Sequence, residues 1–262
     1  MRKALVFLTL CALLTGGLSA SGADAAGAAS ARVQSAAAKM CGRPDPQIKF
    51  VPDAVFSGVP GLSQWIDADT GEEFVWDASG GWIRRYANPS AYAPTVEGGD
   101  IGEQRARSIA DAWARRCFDP ASLRSMRVTC DRREVGTDPV NVEYRVEYRR
   151  FLGDVSTFVH VAVVVNGATG AVMSVEQEQG PIAVSISPEV SQDEARVRAA
   201  ELMGVPENAC TSCVLEVLRY AGGVQRLAWV AKIHTGDAQF GGDALVIIDA
   251  DTGAVLDSGK SW

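Results

Sequence analysis

Two stretches of this chain are written almost alike, and they limit what it can fold into more than any other feature. Val161 to Val172 reads VAVVVNGATGAV and Ala244 to Leu256 reads ALVIIDADTGAVL. In each, a β-branched apolar run feeds a short Asp/Asn-to-Gly string and re-enters Ala-Val, the pattern of two antiparallel strands joined by a tight turn. Asn166 and Asp249 stand at the turn entries, where a side-chain oxygen can bond the backbone two residues on. Gly170 and Gly253 close the turns where φ > 0 is needed. The same string occurs a third time as DADTG at Asp67 to Gly71, between Gln64-Trp65-Ile66 and Phe74-Val75-Trp76, and a weaker version, Asp77 to Gly81, follows it. Turn formation is the better account of these carboxylates; calcium would require a ligand-rich loop of about 12 residues that the string lacks.

The stretches between the hairpins set the fold class. Glu103 to Cys117 places Ala106, Ile109, Ala110, Trp113 and Ala114 at helical spacing. Asn141 to Arg149 then alternates Val142, Tyr144, Val146 and Tyr148 against Glu143, Arg145, Glu147 and Arg149, as a half-buried strand with a wet face does. From Ser191 the order repeats: a capping box with Glu194 opens a helix over Asp193 to Met203, Gly204-Val205-Pro206 stops it, and four apolar runs follow. Gln64 to Tyr86 predicts a three-stranded meander that buries its tryptophans, Trp65, Trp76 and Trp82. The expected fold is α+β: tandem units of one helix packed on a four-stranded antiparallel sheet, preceded by a small β-meander. The connections between most strands are too short for parallel crossovers.

A helix followed by antiparallel strands that end in D-A-x-T-G-x-V, with the aromatic Trp229 inside Leu227 to Ile233, resembles the PepSY domain. That module occurs in the propeptides of thermolysin-like metallopeptidases and in the sporulation protein YpeB. The resemblance is good over Ser191 to Leu256, looser over Asp100 to Val175, and covers only the strand-turn part of Trp65 to Tyr86. The tandem arrangement is similar to the YcdB/YcdC-type repeat proteins, with Tyr148-Arg149-Arg150-Phe151 and Gly153 in a familiar place. The resemblance implies a fold, an exported context and the restraint of a peptidase. The chain departs from the pattern in its cysteines and in having no peptidase domain downstream.

The start of the chain agrees with export. Arg2-Lys3, the apolar Ala4 to Leu14 and the A-x-A site Ala23-Asp24-Ala25 make a secretory signal, and Cys11 lies inside the apolar core rather than at a lipidation site. The expected divisions are a signal peptide over 1–25, a tether and meander over 26–99 in which Ala31 to Met40 could form a short helix, a first PepSY-like domain over 100–182 and a second over 188–262. A formal charge of −7 opposes binding to nucleic acid or anionic membranes. No segment after the leader is apolar enough to span a bilayer. Location outside the cytoplasm, secreted or periplasmic, makes disulfides the default for the cysteines, and five of the six lie beyond the leader. Cys117 is expected to pair with Cys130 and Cys210 with Cys213, leaving Cys41 over; a link from Cys41 to Cys117 or to Cys130 is the runner-up.

Catalytic signatures are sparse. There is no HEXXH, G-x-S-x-G or phosphate loop, and the two histidines, His160 and His234, lie in expected strands without metal-ligand spacing. Cys210-Thr211-Ser212-Cys213 has the spacing of a redox pair, but it follows a helix and leads into a strand, the reverse of a thioredoxin site. The expectation is therefore a non-catalytic exported binding module, without cofactor or metal. Its partner would be an exported protein or peptide, and a strand edge would be the natural site for it. The competing readings are a structural envelope component and a thiol–disulfide oxidoreductase using Cys210 and Cys213.

Overall fold

The computed structural model describes residues 22–52, 61–92, 99–135, 141–220, 223–236 and 242–260. The signal-peptide reading falls mostly on residues outside these. Helix and strand stretches alternate three times along the chain. Gly22–Cys41 (α1) precedes Ile48–Phe50 (β1), Leu62–Asp67 (β2), Glu73–Asp77 (β3) and Trp82–Ala87 (β4). Glu103–Cys117 (α2) and Pro120–Arg124 (α3) precede Met126–Val135 (β5), Asn141–Leu152 (β6), Val155–Asn166 (β7) and Val172–Glu178 (β8). Gln192–Met203 (α4) precedes Cys210–Arg219 (β9), Gln225–His234 (β10), Asp243–Asp249 (β11) and Val255–Lys260 (β12).

The expected three-stranded meander is present as β2–β4, but β1 adds a strand to it and the stretch before it is a docked helix rather than a tether. Its alanines favour a helix, and Val33, Ala37 and Met40, at i, i+4 and i+7, are buried on one side of α1. That stripe covers the β2–β4 face carrying Trp65, Phe74 and Tyr86, which stand opposite one another across the strands. The first stretch is thus a third helix-plus-strands unit.

The strands form one twelve-stranded mixed sheet rather than separate four-stranded sheets. β4 pairs antiparallel with β8 from Arg85–Glu176 to Ala87–Ser174, which joins the first unit to the second. β7 carries β6 along one edge. Along its other edge it carries β8 opposite His160 to Val165 and β9, in parallel, opposite Ser156 and Thr157. The units fuse because a four-stranded sheet has two open edges, and pairing them satisfies backbone groups that would otherwise need water.

All three long helices lie on the same side. Tyr86, Val175, Val163 and Val146 are directly opposed across four strands, all buried, and the Tyr86 ring meets Trp113 of α2 at 4.9 Å. Thr157 shares that face of β7 with Val161 and Val163, and it stands opposite Val217 of β9, which lies in the core beneath α4. Ala106, Ala110 and Ala114 of α2 and Ala195 and Ala199 of α4 are fully buried, small side chains that let the helix backbones approach the sheet closely. Ser191 and Glu194 form the capping box at the head of α4, and Gly204 ends it in the left-handed conformation. The opposite side of the sheet carries no helix among the described residues.

Candidate docking face

The hairpin strings fold as one kind of turn with three different partners. Asp67 Oδ1 accepts from the Asp69 amide at 2.9 Å; Asp249 Oδ1 accepts from Asp251 and Thr252; Asn166 Oδ1 accepts from Ala168 and Thr169. Gly71, Gly170 and Gly253 each donate back to the entry carbonyl at 2.8 Å with φ between 72° and 76°. Each carboxylate also meets an arginine, Arg43 with Asp67 at 2.7 Å and Arg226 with Asp249 at 2.8 Å. Burial, the largest influence, works to raise both carboxyls, but the turn amides and the guanidinium outweigh it and hold them below their usual range. The neutral Asn166 instead donates to the Ala91 carbonyl at 3.0 Å. These side chains are committed to holding turns.

The cysteines do not adopt the expected pairing. All five described thiols are free. Cys130 on β5 is held in the field of Arg107 and Glu103 in the first turns of α2, while Cys117 lies in its last turn with its sulfur 3.9 Å from Met40 Sδ. At 1.5 Å of rise per residue, about 15 Å of helix lies between Arg107 and Cys117, beyond the reach of a bridge. Cys210 and Cys213 are both buried, although residues three apart on a regular strand face opposite ways. The cause is a bulge at Thr211: Ser212 stands opposite Lys232 and Cys210 opposite Ile233, so Thr211 has no partner. Burial pushes both thiols up, and burial together with the neighbouring Cys210 brings Cys213 to about 11. A redox nucleophile needs the reverse shift. We expect iodoacetamide at pH 8 to modify Cys210 and Cys213 at least about tenfold more slowly in the folded protein than in urea. Rapid modification of Cys210 in the native state would revive the oxidoreductase reading.

The histidines occupy unrelated places. His160 sits mid-sheet on β7, its Nδ1 2.8 Å from the Phe158 carbonyl, and His234 ends β10 beside Asp243 at 3.1 Å. No cluster of three metal-ligating side chains occurs among the described residues.

The bare side of the sheet is charged over the first two units and carries an apolar patch on the third. On β4, β8, β7 and β6 it is charged: Arg85, Glu176, Ala162 and Glu147 make one row, and Arg149, His160 and Glu178 another. Glu147 lies between Arg149 at 2.5 Å and Arg145 at 3.5 Å; burial raises its carboxyl, and the two arginines and His160 more than reverse this. This is the wet face that the alternating charges of β6 predict. On β9 to β12 the middle of that side is apolar, bordered by Glu216, Arg226, Lys232 and Asp243. Val214, Val230 and Ile247 stand in one row ending at Asp257, and Leu245 stands between Lys232 and Gly259 in the next. Val214 is 47% exposed and Leu245 37%. The sequence carries the signal, since Val214-Leu215 and Ala244 to Ile248 are apolar at consecutive positions rather than alternate ones, yet such runs also suit a strand buried on both faces. The outer edge of β12, beside this patch, pairs with no strand among the described residues.

No protein-family profile matches the chain, and no curated protein matches it. Among solved structures, the Bacillus megaterium YpeB C-terminal domain superposes with a TM-score of 0.43 at 13% sequence identity, over 90% of this chain and 97% of that domain.

Proposed function

We propose that this is an exported, non-catalytic binding module of PepSY-like design. It holds an extended segment of another exported protein against the third unit and thereby restrains a peptidase. The observation that carries this reading is the apolar patch on the bare side of the third unit, where the exposed Val214 and Leu245 adjoin the half-buried Val230 and Ile247. Contiguous apolar surface of this kind is uncommon on a protein that has no use for it. A segment adding to the edge of β12 would find Asp257 and Gly259 facing it on the open side, and a methyl group placed on Gly259 would meet nothing within 4 Å. The matching segment carries a basic residue opposite Asp257 and a large apolar one, two positions along, opposite Gly259.

Processing is compatible with this reading. Cleavage after Ala25 removes about one turn from α1 and leaves the buried Val33, Ala37 and Met40 in place. The raised thiols of Cys210 and Cys213 weigh against the oxidoreductase alternative.

The test pairs retrieval with inhibition. The mature chain and a Val214→Lys/Leu245→Lys variant, altered only at exposed positions, are used to capture proteins from the native secretome, and each captured metallopeptidase is assayed with both. The reading requires a peptidase that the parent slows and the variant slows at least about tenfold less, the loss expected from charging the centre of an apolar interface. Equal inhibition by both would move the site elsewhere, and a chain that retrieves no peptidase and stays with the envelope would leave a structural component.

A further inference from the structure

The other long free edge belongs to β5. From Met126 to Val135 it pairs with β6 on one side and with no strand among the described residues on the other, and most of its side chains are exposed. Edges are commonly blunted by shortness, lysine, proline or a bulge, whereas β5 runs ten residues without lysine or proline and in unbroken register with β6. This edge carries Asp131 and Arg133, opposite in sign and two positions apart, so they share a face.

We infer that β5 pairs antiparallel with β5 of a second copy of this chain, about a two-fold axis through Arg132. An axis normal to the sheet keeps both helix layers on one side and sets residues of the same face opposite each other. Centred on Arg132, it places Asp131 against Arg133 of the other copy twice, Cys130 against Glu134, and Thr129 against Val135. Arg132 meets its own copy at the axis, but each is already neutralised by Asp100 at 3.0 Å and Glu134 at 2.8 Å. The neighbouring registers are worse. An axis at Asp131 opposes two carboxylates, one at Cys130 opposes Arg127 to Arg133, and one at Arg133 opposes that arginine to itself with no ion-pair partner among the described residues. The result is a continuous sheet through both copies, with the third-unit apolar face left open, so the inference stands apart from the functional reading above.

A contact confined to one strand edge buries less than the ~1,200 Å² of a standard interface, so the dimer is expected to be weak, with dissociation near 10 to about 500 µM. Sedimentation velocity of the mature chain over that range should show a concentration-dependent dimer. Asp131→Arg should weaken it by about tenfold, and so should Arg133→Asp, because each change turns two attractive cross-strand pairs into repulsive ones. The double variant Asp131→Arg/Arg133→Asp restores both pairs and should dimerise within about threefold of the parent. Circular dichroism of each variant checks that these exposed changes leave the fold intact. A chain that stays monomeric throughout, a dimer indifferent to either single reversal, or a double variant no better than the singles would each overturn the inference.

Discussion

Phe74→Ala is expected to lower the stability of the whole molecule by about 3–5 kcal/mol, the cost of emptying a large aromatic site in a core that cannot collapse around it. Phe74 is fully buried on β3, opposite Trp65 on one side and Tyr86 on the other, with its ring 5.6 Å from that of Tyr86. Tyr86 in turn touches Trp113 of α2, and its strand is bonded to β8, so the defect reaches the second unit through both layers. The effect should therefore appear as one urea transition moved to lower concentration, with tryptophan fluorescence and far-ultraviolet circular dichroism still coincident. Separately folding units would instead give two transitions, of which only one moves. That outcome would mean that the β4–β8 and β7–β9 junctions contribute little, and the single continuous sheet would lose its energetic meaning.

The local parts of this architecture were legible in the sequence because their causes are local. The period of Ala106, Ala110 and Ala114 locates α2, and Ser191, Glu194 and Gly204 bracket α4. Three parts were not legible. The Ala-Gly-Ser composition before Val33 resembles a tether and suggests at most a short helix over Ala31 to Met40, and only the partner surface of Trp65, Phe74 and Tyr86 turns that propensity into a docked helix over Gly22–Cys41. The fusion of the units depends on which edges meet, a long-range choice to which no residue in β4, β8 or β9 is committed by its type. The cysteine spacing around α2 suggests a closed loop, but an antiparallel β5 returns along the helix and carries Cys130 back to its first turns. The apolar patch of the bare face lay between the two kinds of reading. Its residues were visible, whereas whether the β9–β12 strands were covered on both sides was not.

The turns allow a sharper test of how much a single repeated position depends on its surroundings. Asp249→Asn is expected to cost about 1 kcal/mol or less: the amide oxygen still accepts from Asp251 and Thr252, and only the half-exposed Arg226 loses its partner. The reciprocal change at the same place in the preceding unit is not mild. Asn166 is buried, and its hydrogen-bond partners are backbone groups: the Ala168 and Thr169 amides on one side and the Ala91 carbonyl, which receives its Nδ2–H, on the other. Asn166→Asp sets an ionised oxygen against that carbonyl and is expected to cost about 2–4 kcal/mol at pH 7. The pH dependence follows from the sign of the shift. Burial against an acceptor raises the folded carboxyl above its unfolded value of about 3.9. The linkage penalty is therefore absent below that value, grows as pH rises through the interval between the two, and is constant above the folded one. Once protonated, the acid can donate to Ala91 as the amide did. Urea titrations of parent and variant between about pH 3 and pH 8 should converge at the acid end. A variant as stable as the parent at pH 7, or a gap that does not close on acidification, would show that the Asn166 turn tolerates a charge and that its bond to Ala91 is not what holds it.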